Sequence, residues 1–174
     1  MKCWIPPLLL TMLGMTLAAI FLTSEPDKSH GFAHAQIAEM HQAGNGTDRL
    51  GSVLLLAWLF GTVMIAFFVS LLALAILPGN RQSFWLLLLG TLLYETAFSL
   101  MVLEYRHFAA TPLETTFWGP FPTATAWVLF GVWLVPYIFI LLYTVFFDRW
   151  ILPASHRNRF EELLRNRPPD LLKK

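Results

Sequence analysis

The stretch that decides the fold is Ser83–Tyr105, SFWLLLLGTLLYETAFSLMVLEY. It is long and apolar enough to cross a bilayer as a helix, and it carries an ionisable residue, Glu95, near its middle. Twelve residues at about 1.5 Å each put that carboxyl roughly 18 Å from the helix start, close to the centre of a ~30 Å hydrocarbon layer. A charge at that depth costs at least about 2.5–3.5 kcal/mol on insertion scales, so the group should be protonated, paired, or turned away from lipid. Thr91 and Ser99 stand four residues to either side of it and complete one polar stripe on the helix.

Composition agrees with a bilayer setting. Of 174 residues, 56% are hydrophobic and 13% charged, against about a quarter charged in a soluble domain. Fifteen Phe and seven Trp suit lipid-facing surfaces and interfacial belts. A net charge of +1 gives no support to nucleic-acid binding. The single cysteine, Cys3, excludes an intrachain disulfide and a cysteine-based metal cage.

Working outward, three further apolar runs flank the first, so the expected fold is an all-α integral membrane protein. Residues 1–152 form a four-helix transmembrane bundle, with spans at residues 4–22, 50–77, 83–105 and 123–147. Residues 153–174 form a cytoplasmic tail with a short amphipathic helix. The first run resembles a signal peptide but has no clean cleavage site before Ser24, and it reads as an uncleaved anchor. Between the first two spans, Ser29 is placed to cap a short helix from His30 to Ala43. Pro78-Gly79-Asn80 turns the second span tightly into the third. The loop from Arg106 to Pro122, with its prolines and its Phe117, Trp118 and Phe121, reads as a re-entrant or interface-hugging connector. Pro136 should kink the fourth span, which also contains Gly131. Asp148-Arg149-Trp150 reads as the interfacial step, with Trp150 as anchor. Ser155 then caps a helix to Arg167 whose Phe160, Leu163 and Leu164 share one face.

Lysine and arginine placement orients the chain. Nine basic residues fall on the side of both termini and the Arg81 turn, against three (Lys28, Arg49, Arg106) on the other. Both termini are therefore expected in the cytoplasm of a bacterial cell, with the span in the inner membrane.

Thr62, Ala66 and Ser70 form a stripe of small residues on the second span that can face the Glu95 stripe and let the backbones approach. Thr62, or Tyr137 of the fourth span, is then a hydrogen-bond partner for Glu95. Such a buried acid either lies on a proton or cation path or acts as a neutral interhelical contact. The second reading is favoured because no other titratable residue shares its depth.

His30 and His34, at i and i+4 of the expected loop helix, could chelate zinc or copper, with Glu25 or Asp27 as third ligand. Ile37 interrupts that face and His41 is too far along it, so an exposed histidine face is the preferred reading. No histidine falls within a span, which argues against haem, and no nucleophile motif of the G-x-S-x-G type is present. No cofactor is expected. Asn45-Gly46-Thr47 has the form of a glycosylation sequon and reads as a turn.

The segment Pro122–Leu164, PTATAWVLFGVWLVPYIFILLYTVFFDRWILPASHRNRFEELL, resembles the small membrane subunits that accompany bacterial sodium/solute symporters. It has their Pro-Thr entry, a Gly-x-Trp-x-x-Pro core (Gly131, Trp133, Pro136), a Leu-Tyr exit at Leu142-Tyr143 and a charged tail helix. The resemblance covers about a quarter of the chain, implies an accessory role, and carries no catalytic residue with it. The expected function is a non-catalytic accessory subunit of an inner-membrane complex, a transporter in the first instance. Its partners would be the lipid bilayer and a larger membrane subunit or further copies of itself. Two other readings stand beside it: a respiratory-chain membrane subunit binding metal or quinone, and a small proton-coupled transporter acting as an oligomer.

Overall fold

The computed structural model describes residues 4–24, 32–42, 50–51, 53–76, 81–111 and 114–166. Cys3, His30, the Asn45-Gly46-Thr47 sequon, the Pro78-Gly79-Asn80 turn and the end of the tail lie outside them. Among the described residues, four helices are long and apolar enough to cross a membrane. They are α1 (Ile5–Leu22), α2 (Val53–Leu74), α3 (Arg81–Ala110) and a composite last span, Thr123–Val145. Leu55, Leu89, Leu93, Trp133 and Ile140 are among the many large apolar side chains on their outer surfaces. Such a surface is a liability in water and ordinary against lipid.

The helices do not close into a symmetrical four-helix bundle. Helix α1 packs along α2, α2 packs on α3, and α3 packs on the last span. Pro6 is the sole buried residue that α1 contributes. The arrangement is a three-helix core of α2, α3 and the last span, with α1 as a flanking helix. Apolar residues cover all sides of α1, so nothing in its own sequence selects an inward face.

Helix α3 outruns its expected end at Tyr105 and continues to Ala110. Arg106 and His107 are compatible with a helix once it leaves the apolar layer, and no helix breaker intervenes before Pro112.

The last span has the most irregular backbone. Helix α4 (Thr123–Ala126) runs into a π-helical turn, Trp127–Val132, and then into α5 (Val135–Val145), with Pro136 in the first turn of α5. The amide of Trp133 donates to the Val128 carbonyl, five residues back, at 3.0 Å. A π turn inserts one residue and rotates everything downstream by about 100°. The buried positions record it: Ala126, then Gly131 after a step of five, then Val135 and Phe139 after steps of four. Gly131, not the bulky Phe130, therefore meets α3. A Cβ on Gly131 would stand 3.0 Å from the Ala97 Cβ. With Ala97 and Ala126 both buried and Gly131 against Ala97, small residues line the α3–last span seam and let the two backbones approach.

Short helix α6 (Phe147–Trp150) turns the chain back at the far end. Trp150 is not an interfacial anchor: it is 1% exposed and joins Val69, Leu87 and Phe139 in the core cluster. The break at Phe146, with φ −100° and ψ 12°, swings the indole inward. It stacks on Phe146 with centroids 5.2 Å apart and meets Tyr143 edge-on at 5.4 Å. The tail helix, α7 (Ala154–Arg165), begins after Pro153 with no side-chain cap, so Ser155 lies inside it and does not cap it.

Two small hairpins complete the described chain. Strands β1 (Phe32–Ala33) and β2 (His41–Gln42) pair antiparallel where a short helix was expected. The Nδ1 of His34 accepts the amides of Gln36 and Ile37, each at 3.2 Å. A side chain that captures backbone amides in this way competes with the helical ladder. Strands β3 (Phe117–Trp118) and β4 (Phe121–Pro122) are joined at Gly119, whose φ of +59° suits a tight hairpin turn. Trp118 lies against Trp127 at 5.7 Å and Phe121 against Phe130 at 6.5 Å, so this hairpin folds onto the start of the last span.

Candidate functional site: the polar seam between α2 and α3

Helices α2 and α3 run antiparallel, and polar residues meet on successive turns of their shared face. Trp58 Nε1 donates to Ser99 Oγ at 3.1 Å. One turn deeper, the Glu95 carboxyl lies beside the Thr62 hydroxyl. That hydroxyl is buried, and no group, the Glu95 carboxyl included, meets it with full hydrogen-bond geometry. Both contacts follow from the four-residue spacing of Trp58 and Thr62 on one helix and of Glu95 and Ser99 on the other. A carboxyl beside a hydroxyl in an apolar layer is a short polar chain that can share or hold a proton. Among the described residues no second carboxylate or histidine reaches it.

The remaining residues of the two stripes turn to local tasks. Thr91 Oγ1 donates to the Leu87 carbonyl and Ser70 Oγ to the Phe67 carbonyl, each at 2.7 Å. Ala66, between Thr62 and Ser70 on α2, is half-buried. At Gly61 the Phe98 ring of α3 fills the place of a side chain: an added Cβ would come within 2.2 Å of it.

Tyr137 is not part of the seam, for it is 57% exposed. Counted along an unbroken α-helix from Ala126, it would share the buried face, eleven residues on and about 20° away. The π turn rotates it off that face. Gly131 packs on α3, and Pro136 heads α5 and lines a second groove, of about 660 Å³, with Phe68, Leu72 and Tyr143. The Tyr143 hydroxyl donates to the Leu72 carbonyl near the end of α2 and ties the last span to it.

Phe32 and Ala33, just before His34, are extended and not helical, and His30, the other half of the expected pair, lies outside the described residues. No group of three potential metal ligands exists among the described residues.

The residue pattern alone gave no site role to Trp58 or to Arg106, which served there only to orient the chain. An indole in an apolar run needs an acceptor for its N–H, which was a usable signal for Trp58. Beside the seam, the Leu50 end of α2 and the Arg106 end of α3 enclose a groove of about 540 Å³. Leu54, Leu55 and Val102 line its walls, Trp58 and Ser99 its inner end, and Arg106 its mouth.

No family model, curated protein or solved structure matches the chain.

Proposed function

We propose that the protein is a non-catalytic subunit of a larger assembly in a bacterial inner membrane, a transporter in the first instance, with both termini in the cytoplasm. The observation that supports this reading is the incomplete enclosure of Glu95. The carboxyl sits mid-span beside Thr62 yet remains partly exposed, because α1 lies against α2 and leaves that side of the seam open. An ionisable group at that depth faces protein or water in preference to acyl chains. A companion helix over the seam would complete its surroundings. The lipid-facing α1 offers a further surface along which such a companion could pack.

Purification of the full chain from gently solubilised membranes tests this. A stoichiometric companion of a different chain is expected. Glu95→Gln, which keeps an amide able to hydrogen-bond, should retain it, and Glu95→Leu should release it. A monodisperse monomer that survives both substitutions refutes the proposal. A homo-oligomer that stays assembled in Glu95→Gln but loses solute uptake establishes a proton-coupled carrier in its place.

A further inference from the structure

The groove between α2 and α3 has features that neither packing nor the seam requires. Its walls are apolar and its mouth carries a guanidinium. Arg106 is exposed and makes no ion pair or hydrogen bond among the described residues. Neither neighbour one turn away on its helix, Val102 or Ala110, is acidic.

Depth gives the arrangement its meaning. Arg106 lies eleven residues beyond Glu95, which is roughly 16 Å along the axis. With Glu95 at the centre of a ~30 Å hydrocarbon layer, the guanidinium stands at head-group level. The arginine stem can then lie along the apolar wall while its charged end stays in the polar zone. Its fork matches the oxygens of a phosphate or a carboxylate. The volume, about 540 Å³, falls within the range of small-molecule sites, about 300–1,000 Å³.

We infer that this groove is a binding site for an anionic amphiphile, whose acyl chain lies between α2 and α3 and whose head group pairs with Arg106. Trp58, at the inner end, reports on the chain. The head group belongs either to a membrane phospholipid or to a free fatty carboxylate, and the shared chemistry is an acyl chain ending in an oxyanion.

The test uses the full-length protein in phosphatidylcholine nanodiscs. Brominated phosphatidylglycerol, brominated phosphatidylcholine and dibromostearate are each titrated in, and tryptophan quenching is followed. The Trp58→Phe variant isolates the Trp58 signal. Saturable, Trp58-dependent quenching is expected from an anionic probe at lower concentration than from the zwitterionic one. Arg106→Gln should raise the anionic half-point about tenfold or more and leave the phosphatidylcholine curve unchanged, the loss of one charge-assisted contact. Circular dichroism verifies that the variant keeps its helices, and Arg106→Lys should recover part of the preference. Selective quenching by brominated phosphatidylglycerol alone assigns the site to a phospholipid; by dibromostearate alone, to a free carboxylate. Equal quenching by charged and zwitterionic probes, or curves that ignore Arg106→Gln, overturns the inference.

Discussion

Trp150 separates the tertiary structure from the pattern-based reading of the same residue. As an interfacial anchor it would contribute little to folding; as a core residue it should contribute much. The indole is 1% exposed, stacked on Phe146 and edge-on to Tyr143. In water-soluble proteins, Trp→Ala in a core costs about 3–5 kcal/mol, part of it transfer from water. Lipid or detergent solvates the unfolded side chain, so the transfer part shrinks and the packing part remains. Removing roughly 140 Å³ at ~24 cal/mol per Å³ of residual cavity sets a ceiling near ~3.4 kcal/mol, and partial collapse brings Trp150→Ala to about 2–3 kcal/mol. Trp133→Ala serves as the matched control, because Trp133 is 67% exposed on the outer face of the last span. Its cost should stay below about 1 kcal/mol. Reversible unfolding of both variants by dodecyl sulfate titrated into mild micelles, followed by far-ultraviolet circular dichroism, gives the comparison. If Trp150→Ala loses no more stability than Trp133→Ala, the inward placement of Trp150 is wrong, and with it the docking of α6 on the core.

Gly131→Val should destabilise the α3–last span seam by about 1–3 kcal/mol through overpacking, since even a Cβ would stand 3.0 Å from Ala97 and 3.1 Å from the Trp127 ring. Combining it with Ala97→Gly should recover part of the loss in the same titration. Tyr143→Phe removes the donor to the Leu72 carbonyl and should cost about 0.6–1 kcal/mol, typical of an interhelical hydrogen bond. The Arg157–Asp148 pair is 2.7 Å long but 51% and 74% exposed. Arg157→Gln should therefore change stability by less than about 0.5 kcal/mol, and a larger loss would mean that α7 is held more firmly than its exposure indicates.

The polar seam was partly readable in advance. Residues four apart on a helix share a face, so Thr62 on one span and Glu95 with Ser99 on another mark candidate stripes from the sequence alone. What no spacing rule supplies is which stripe meets which. The acceptor for Trp58 turned out to be Ser99, and Thr91 and Ser70 turned to their own backbones instead of across the interface. Tyr137 left the seam because a π turn of six residues lies upstream of it. The expected loop helix gave way to a hairpin because His34 binds the amides that would have continued the helix.

By itself the amino-acid sequence determined that the chain has four long apolar helices, roughly where they begin and end, and that one acid sits at mid-span. Those are one-dimensional properties. An apolar segment of that length has to satisfy its own backbone hydrogen bonds, and a helix is the single-segment way to do so. Only the tertiary structure decided which faces touch, that α1 flanks a three-helix core, and that Trp150 points inward while Tyr137 points out. The physical reason is that lipid and protein interior are almost equally apolar. Binary patterning then carries no signal for the buried face, and shape complementarity between small residues such as Gly61, Gly131 and Ala97 makes the choice.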